Sequence, residues 1–182
     1  MNYLSTIDTN TWLIIGGILL FLIAVILYLR WSAKKSPRAV AQVTQNGITI
    51  KVLYCQPGKK GRTIFGGVVK HNKVWRTGAN AATIIELPQD VRIGGSRLSK
   101  GRYSLYTIPT PTDWTIIINR RTGQWGVSYN EAADVLRFTA STRPFNPSAE
   151  QFFISFEPQP GGLNMLLTWD DTQVIVPFQK AA

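Results

Sequence analysis

The spacing of apolar residues changes character once along the chain. From Trp12 to Leu29 (WLIIGGILLFLIAVILYL) eighteen consecutive residues carry no charge and no periodicity. A helix of that length extends about 27 Å, close to the roughly 30 Å hydrocarbon core of a bilayer. Apolar on every face, it has no polar side to offer water. The eleven residues before it contain Asp8 but no Lys or Arg, and Tyr28-Leu29-Arg30-Trp31 follows. A cleaved signal peptide needs a basic start, a shorter apolar core and a small-x-small site, so the block reads as a permanent single-pass anchor.

Beyond it the period becomes two. Ile48, Ile50, Val52 and Tyr54 alternate with Thr49, Lys51 and Leu53, and Asn46-Gly47 joins them to the preceding run from Ala39, a strong hairpin signal. Further short alternating runs follow at Thr83–Leu87, Val91–Ile93, Arg97-Leu98, Arg102–Ile108, Trp114–Asn119, Val135–Ser141, Gln151–Glu157, Leu163–Trp169 and Gln173–Phe178. Turn signals separate them, including Gly94-Gly95, Arg121-Thr122-Gly123, Pro158–Gly162 and Asp170-Asp171. About ten short strands without an amphipathic helix predict an all-β domain, an antiparallel β-sandwich preceded by one transmembrane helix. The organisation read from this pattern is a tail over 1–11, the helix over 12–29, a basic linker over 30–38 and the sandwich over 39–179. Residues 55–81, with five glycines and a proline, read as one long connection with Ile64–Val69 tucked into the core.

Charge changes the picture near the anchor. The chain carries a formal net charge of +10, and residues 30–76 hold eleven Lys or Arg and no Asp or Glu. Residues 77–182 hold nine of each. The basic third therefore suits anionic lipid head groups, with Lys59, Lys60 and Arg62 clustered where a loop reaches phosphates. The expected partners are the lipid bilayer and a membrane protein complex. Nucleic acid is not expected, because no recognition helix or stacking motif accompanies the charge.

Candidate chemistry is sparse. One His and one Cys assemble no zinc site of the usual ligands, so neither metal nor cofactor is expected. His71 reads as an exposed loop residue, and Cys55 as a small buried residue at a strand end despite the cations of Lys59, Lys60 and Arg62 nearby. Glu86, Asp90, Asp113, Glu131 and Asp134 show no spacing that singles out a catalytic pair. The run Lys73-Val74-Trp75-Arg76-Thr77-Gly78-Ala79-Asn80 offers more. Arg62, Trp75, Arg76 and Asn80 supply a stacking face and planar hydrogen-bonding groups that suit a sugar or carboxylate. The same groups equally serve to pin a loop through neighbouring carbonyls, the reading placed first. Gln124-Trp125-Gly126 carries the same ambiguity.

Several of these runs, taken in order, resemble one family. Gly61–Gly66 (GRTIFG), Lys73–Asn80 (KVWRTGAN), Ser104–Pro109 (SLYTIP), Trp114–Ile117 (WTII), Gln124–Gly126 (QWG) and Asp134–Arg137 (DVLR) look like the bacterial domain of unknown function 2911, common in Bacteroidetes, over about residues 36–178. The resemblance implies a β-rich domain behind a signal peptide or anchor, no established activity and no catalytic residue to carry over. It also implies an inner-membrane protein whose domain is exported to the periplasm. The four cations after the helix (Arg30, Lys34, Lys35 and Arg38) favour the cytoplasm by the positive-inside rule. The expected function is a non-catalytic binding or accessory module of the cell envelope or of a membrane complex. The alternative is an enzyme acting on an envelope sugar or a small anionic metabolite at the 55–81 loop.

Overall fold

The computed structural model describes residues 9–33, 36–124 and 128–181. Lys34 and Lys35 of the linker and Trp125-Gly126 lie outside the described residues. The chain divides into two units, Met1–Lys35 and Ser36–Ala182.

The first unit contains α1 (Thr9–Ala33). It runs past both ends of the apolar block because neither the polar residues before Trp12 nor Arg30–Ala33 include a glycine or proline to stop it. Its stretch Asn10–Leu29 is long and apolar enough to cross a membrane, and by length and composition fits a membrane span and a signal sequence alike.

The second unit is all-β. In chain order its strands are β1 (Arg38–Gln45), β2 (Ile48–Cys55), β3 (Thr83–Leu87), β4 (Val91–Ile93), β5 (Ser96–Leu98), β6 (Gly101–Pro109), β7 (Asp113–Asn119), β8 (Asp134–Gln159) and β9 (Gly162–Lys180). They pair antiparallel in the order β1-β2-β3-β6-β7-β8-β9-β4-β5. The β1–β2 hairpin closes with Gln45 opposite Ile48, and Asn46 and Gly47 both take positive φ (53° and 73°). That two-residue turn matches the twist of its strands. On β2 the predicted alternation holds: Ile48, Ile50, Val52 and Tyr54 are buried, and Thr49, Lys51 and Leu53 are half-buried.

Nine strands stand where about ten short ones were expected, because two are long. Val135–Ser141 and Gln151–Glu157 belong to one 26-residue strand, β8, and Leu163–Trp169 and Gln173–Phe178 to one 19-residue strand, β9. Asp170-Asp171 does not reverse the chain. Asp170 takes φ 56°, and β9 stays paired with β8 on both sides of it. The first part of β8 pairs with β7 and the rest with β9, so the strand turns the corner between the two halves of the fold.

The strands pack over one main core, with a small second cluster of Ala82, Tyr106 and Ile117. Tyr54 of β2 meets Phe152 of β8 edge-to-face, ring centres 5.7 Å apart, and its hydroxyl accepts the Ile154 amide at 3.1 Å. Asn46 donates to the Gly162 carbonyl at 2.8 Å. Five aromatic side chains, Phe65, Trp75, Trp114, Phe152 and Trp169, pack together, with Trp75 stacked on Trp169 at 5.9 Å and 20°.

The 55–81 segment is a connection stitched to the strands rather than a free loop. The Lys59 amide donates to Glu150, the Phe152 amide to Pro57, the Asn72 amide to Pro109, and Trp75 and Thr107 exchange both backbone bonds (2.7 and 2.9 Å). Trp75 thereby continues the β6 ladder beyond β3. Backbone groups that leave water need partners, and this segment finds them on β6 and β8. Ile64 and Val69 enter the core as expected, Phe65 is half-buried, and Val68 remains exposed.

Candidate functional site

The motif that looked richest in the sequence forms a frame. Trp75 donates its indole N–H to the Gly78 carbonyl (3.0 Å) and Arg76 its guanidinium to the Asn80 carbonyl (3.1 Å). Thr77, fully buried, bonds the Thr107 hydroxyl at 3.2 Å, and Thr83 donates to the Thr77 carbonyl at 2.6 Å. The structure brings Trp75, Arg76 and Asn80 together, with the Trp75 ring against Trp169 and Trp114.

The basic cluster is partly engaged as well. Lys59 forms an ion pair with Asp170 and also donates to the Ser148 hydroxyl at 3.2 Å. The hydrogen bond to Asp170 holds the Lys59 pKa above its ordinary value. Burial pushes the Asp170 carboxyl up, but the hydrogen bonds from Lys59 and Ser148 outweigh it and leave the pKa lowered. Arg62 donates to the carbonyls of Gly58 (2.7 Å) and Lys59 (3.0 Å). Lys60 is exposed, its backbone amide bonded to Glu150 at 2.7 Å. Cys55 is buried.

A cleft of about 540 Å³ opens elsewhere, between the 110–114 turn and the middle of β8. Its origin is a bulge. Pro144 pairs with Thr172 and Ala149 with Asp170, so five steps along β8 face two along β9. The surplus residues leave the ladder, as bulges do beside binding sites, and Phe145, Asn146 and Ser148 line the cleft. Phe65, His71, Thr110, Trp114, Arg143 and Asp171 complete most of the wall.

The walls are held from behind. Thr110 donates to the Asp113 carbonyl (2.7 Å) and accepts the Asp113 amide (3.1 Å), closing the turn, and Thr142 donates to the Thr112 carbonyl at 3.0 Å. Ser148 donates to Asp170 at 2.8 Å. Arg143 donates to Gln173 (2.6 Å) and to Glu157 (2.9 Å), and that guanidinium, followed by the Asn164 amide, holds the Glu157 carboxyl below the usual range. Phe145 is fixed edge-on to Phe153 at 5.8 Å, and Phe65 to Trp114 at 4.9 Å.

His71 sits half-buried on this wall with Nδ1 shielded from solvent and without a hydrogen-bond partner. Its ring lies over Gly66, where φ is +83° and an added Cβ would stand 3.1 Å from Nε2, so glycine alone suits that position. Asn146 and Asp171, both exposed, also line the cleft: the Asn146 amide has no hydrogen-bond partner and the Asp171 carboxylate no ion pair among the described residues, and Asp171 accepts only the Thr172 hydroxyl at 3.0 Å.

The largest pKa displacement belongs to a different cluster. Burial, then the hydrogen bond to Asp134, push Tyr129 up to about 12. Tyr129, Arg137 and Asn119 all bond the Asp134 carboxylate at 2.6 to 2.7 Å, a network complete in itself.

Sequence reasoning named His71 but missed Arg143, Phe145, Asn146, Ser148 and Asp171. The usable signal was Pro144 and Pro147 three apart between two alternating runs, since proline inside a strand marks an edge or a bulge. No curated protein and no solved structure matches the chain. The family described as a protein of unknown function, DUF2911, matches residues 36–178. The chain belongs to that family.

Proposed function

We propose that this protein is a membrane-anchored binding module whose ligand seats in the cleft formed by the β8 bulge. The observation that carries this reading is the cleft itself. It falls within the about 300–1,000 Å³ typical of small-ligand sites, its walls are fixed by hydrogen bonds, and His71 in its wall keeps a buried Nδ1 that no protein group satisfies. A buried polar atom without a partner costs about 1–3 kcal/mol, and a ligand toward which the His71 ring turns would recover it. Fixed walls lower the ordering cost of binding.

In this reading α1 is the permanent anchor and the β unit is exported. The unbroken apolar run of α1, longer than the core of a cleaved signal peptide, supports the anchor, and the family resemblance supports export. The basic third of the chain then lies at the lipid surface.

Native mass spectrometry of the full chain, released from lipid nanodiscs after exposure to a small-molecule extract of the cells that make it, tests the reading. The expected result is a bound small molecule lost in Phe145→Ala and Asn146→Ala, on a protein whose mass retains the N-terminal helix. An absent adduct, or one indifferent to both substitutions, overturns the cleft as the site. A mass lacking the helix overturns the anchor.

A further inference from the structure

Resting on the cleft as a ligand site, we infer that its ligand is a neutral saccharide bound through adjacent hydroxyls. The fold has left only some polar groups of the cleft unbonded, and these select the ligand. Arg143 is committed to Glu157 and Gln173, and at the rim Lys59 is committed to Asp170 and Ser148. Glu157 already neutralises Arg143, so a phosphate or carboxylate ligand that took its unbonded Nη1 donors would sit beside that carboxylate. The charge on the wall that remains without an ion pair is negative, on Asp171. Anions are therefore disfavoured twice. A cationic ligand would find only the Asp171 carboxylate, which is exposed and already solvated.

The wall hydroxyls of Thr110, Thr142, Ser148 and Thr172 already donate inside the protein. What remains is Asp171 as acceptor, the Asn146 amide as both donor and acceptor, the Arg143 Nη1 group as donor, spare lone pairs on those hydroxyls, and His71 Nδ1, whose role depends on its tautomer. A hydroxyl donates and accepts, so it satisfies His71 in either tautomer, and a pair of neighbouring hydroxyls matches the two-point geometry of a carboxylate or amide. Between these groups the wall is apolar and flat: Phe65 and Phe145, each half-buried, and Pro111 and Pro144. Such surfaces suit the C–H faces of a sugar ring, whose edge carries the hydroxyls.

The experiment is calorimetry on the full chain in lipid nanodiscs, prepared without alkyl-maltoside detergents, which carry sugar rings of their own. The probes are maltotriose, cellotriose and triacetylchitotriose, with trigalacturonate and choline as charged comparators. At least one neutral trisaccharide is expected to bind about tenfold or more tighter than either charged probe, and Asn146→Ala, Asp171→Ala and Phe145→Ala are each expected to weaken it by about tenfold. Cooperative melting of each variant shows that the fold survives. Tandem mass spectrometry of the native adduct is expected to release sugar-ring fragments. Preference for trigalacturonate or choline, no neutral binding at millimolar concentration, or an adduct without sugar fragments overturns the inference. If an adduct still forms and depends on Phe145, the cleft remains a binding site for another ligand class. If no adduct forms, the reading of the cleft falls with it.

Discussion

Two regions of the β unit hold the same chemical vocabulary and use it oppositely. The Trp75–Asn80 segment joins an indole, a guanidinium and an amide in one irregular stretch, and the fold takes up its indole N–H, guanidinium and threonine hydroxyl: Trp75 to Gly78, Arg76 to Asn80, Thr77 to Thr107. The β8 bulge also joins aromatic rings, a guanidinium and an amide, yet beside it His71 Nδ1 has no protein partner. Residue type does not separate a frame from a site. What separates them is which polar groups the fold has already bonded, and that depends on register and bulges rather than on local sequence.

The sharpest way to break the comparison is to remove one ring from each region. Trp75→Ala deletes the ring that joins Trp114, Phe152 and Trp169, and should cost about 3–5 kcal/mol in denaturant unfolding. Phe145→Ala removes a ring in contact with one other ring, Phe153, and should cost well under half of that while weakening ligand binding about tenfold. Equal losses of stability would erase the distinction.

The next largest effect is expected at Gly66. An alanine there must adopt φ +83° and press on the His71 ring, at a cost of about 1–2 kcal/mol. Because His71 is displaced, ligand affinity should fall further than that loss of stability accounts for, whereas a Gly61→Ala control, also at positive φ but with open space around it, should lose stability alone.

These contrasts bear on what the sequence could reveal. The β1–β2 hairpin was legible because Asn-Gly demands positive φ and the period of two fixes the buried face of β2. The anchor-length helix was legible from its uninterrupted apolar run. The merging of four segments into β8 and β9 was not, since Asp170-Asp171 has the composition of a turn and the pairing that keeps it in a strand comes from the far part of the β8–β9 hairpin, where Ala149 faces Asp170. For the same reason the cleft was hidden. It exists only because the chain around Pro144 and Pro147 slips three residues against β9.

The rim supplies a pH test. The Asp170 pKa is lowered, so its contribution is complete above the ordinary aspartate value, about 3.9, and is lost as pH falls through the lowered one. The Lys59 pKa is raised, so its contribution is complete below about 10.4 and lost as pH rises through the raised one. The stability difference between wild type and Asp170→Asn should therefore be flat from about pH 5 to about pH 9 and close at both extremes. A difference that changes within the plateau would show that the pair does not fix Ser148 as described.

The smallest effect concerns the exposed cations of the connection. Lys60 and Arg62 changed to Ser should weaken co-sedimentation of the β unit with anionic liposomes at low salt, each by about 1 kcal/mol or less, without altering the adduct. Lys59→Ser should differ from them, because it breaks a pair inside the fold.

One measurement addresses the central claim most directly. His71 is the only histidine in the chain, so histidine-selective ¹⁵N labelling places a single imidazole in the spectrum, and its Nδ1 is one of the buried atoms the fold leaves without a partner. Titration of the full chain in nanodiscs with the tightest neutral trisaccharide should move the Nδ1 resonance of His71 in step with the calorimetric saturation curve. A trisaccharide that binds while that resonance stays fixed would contradict the account.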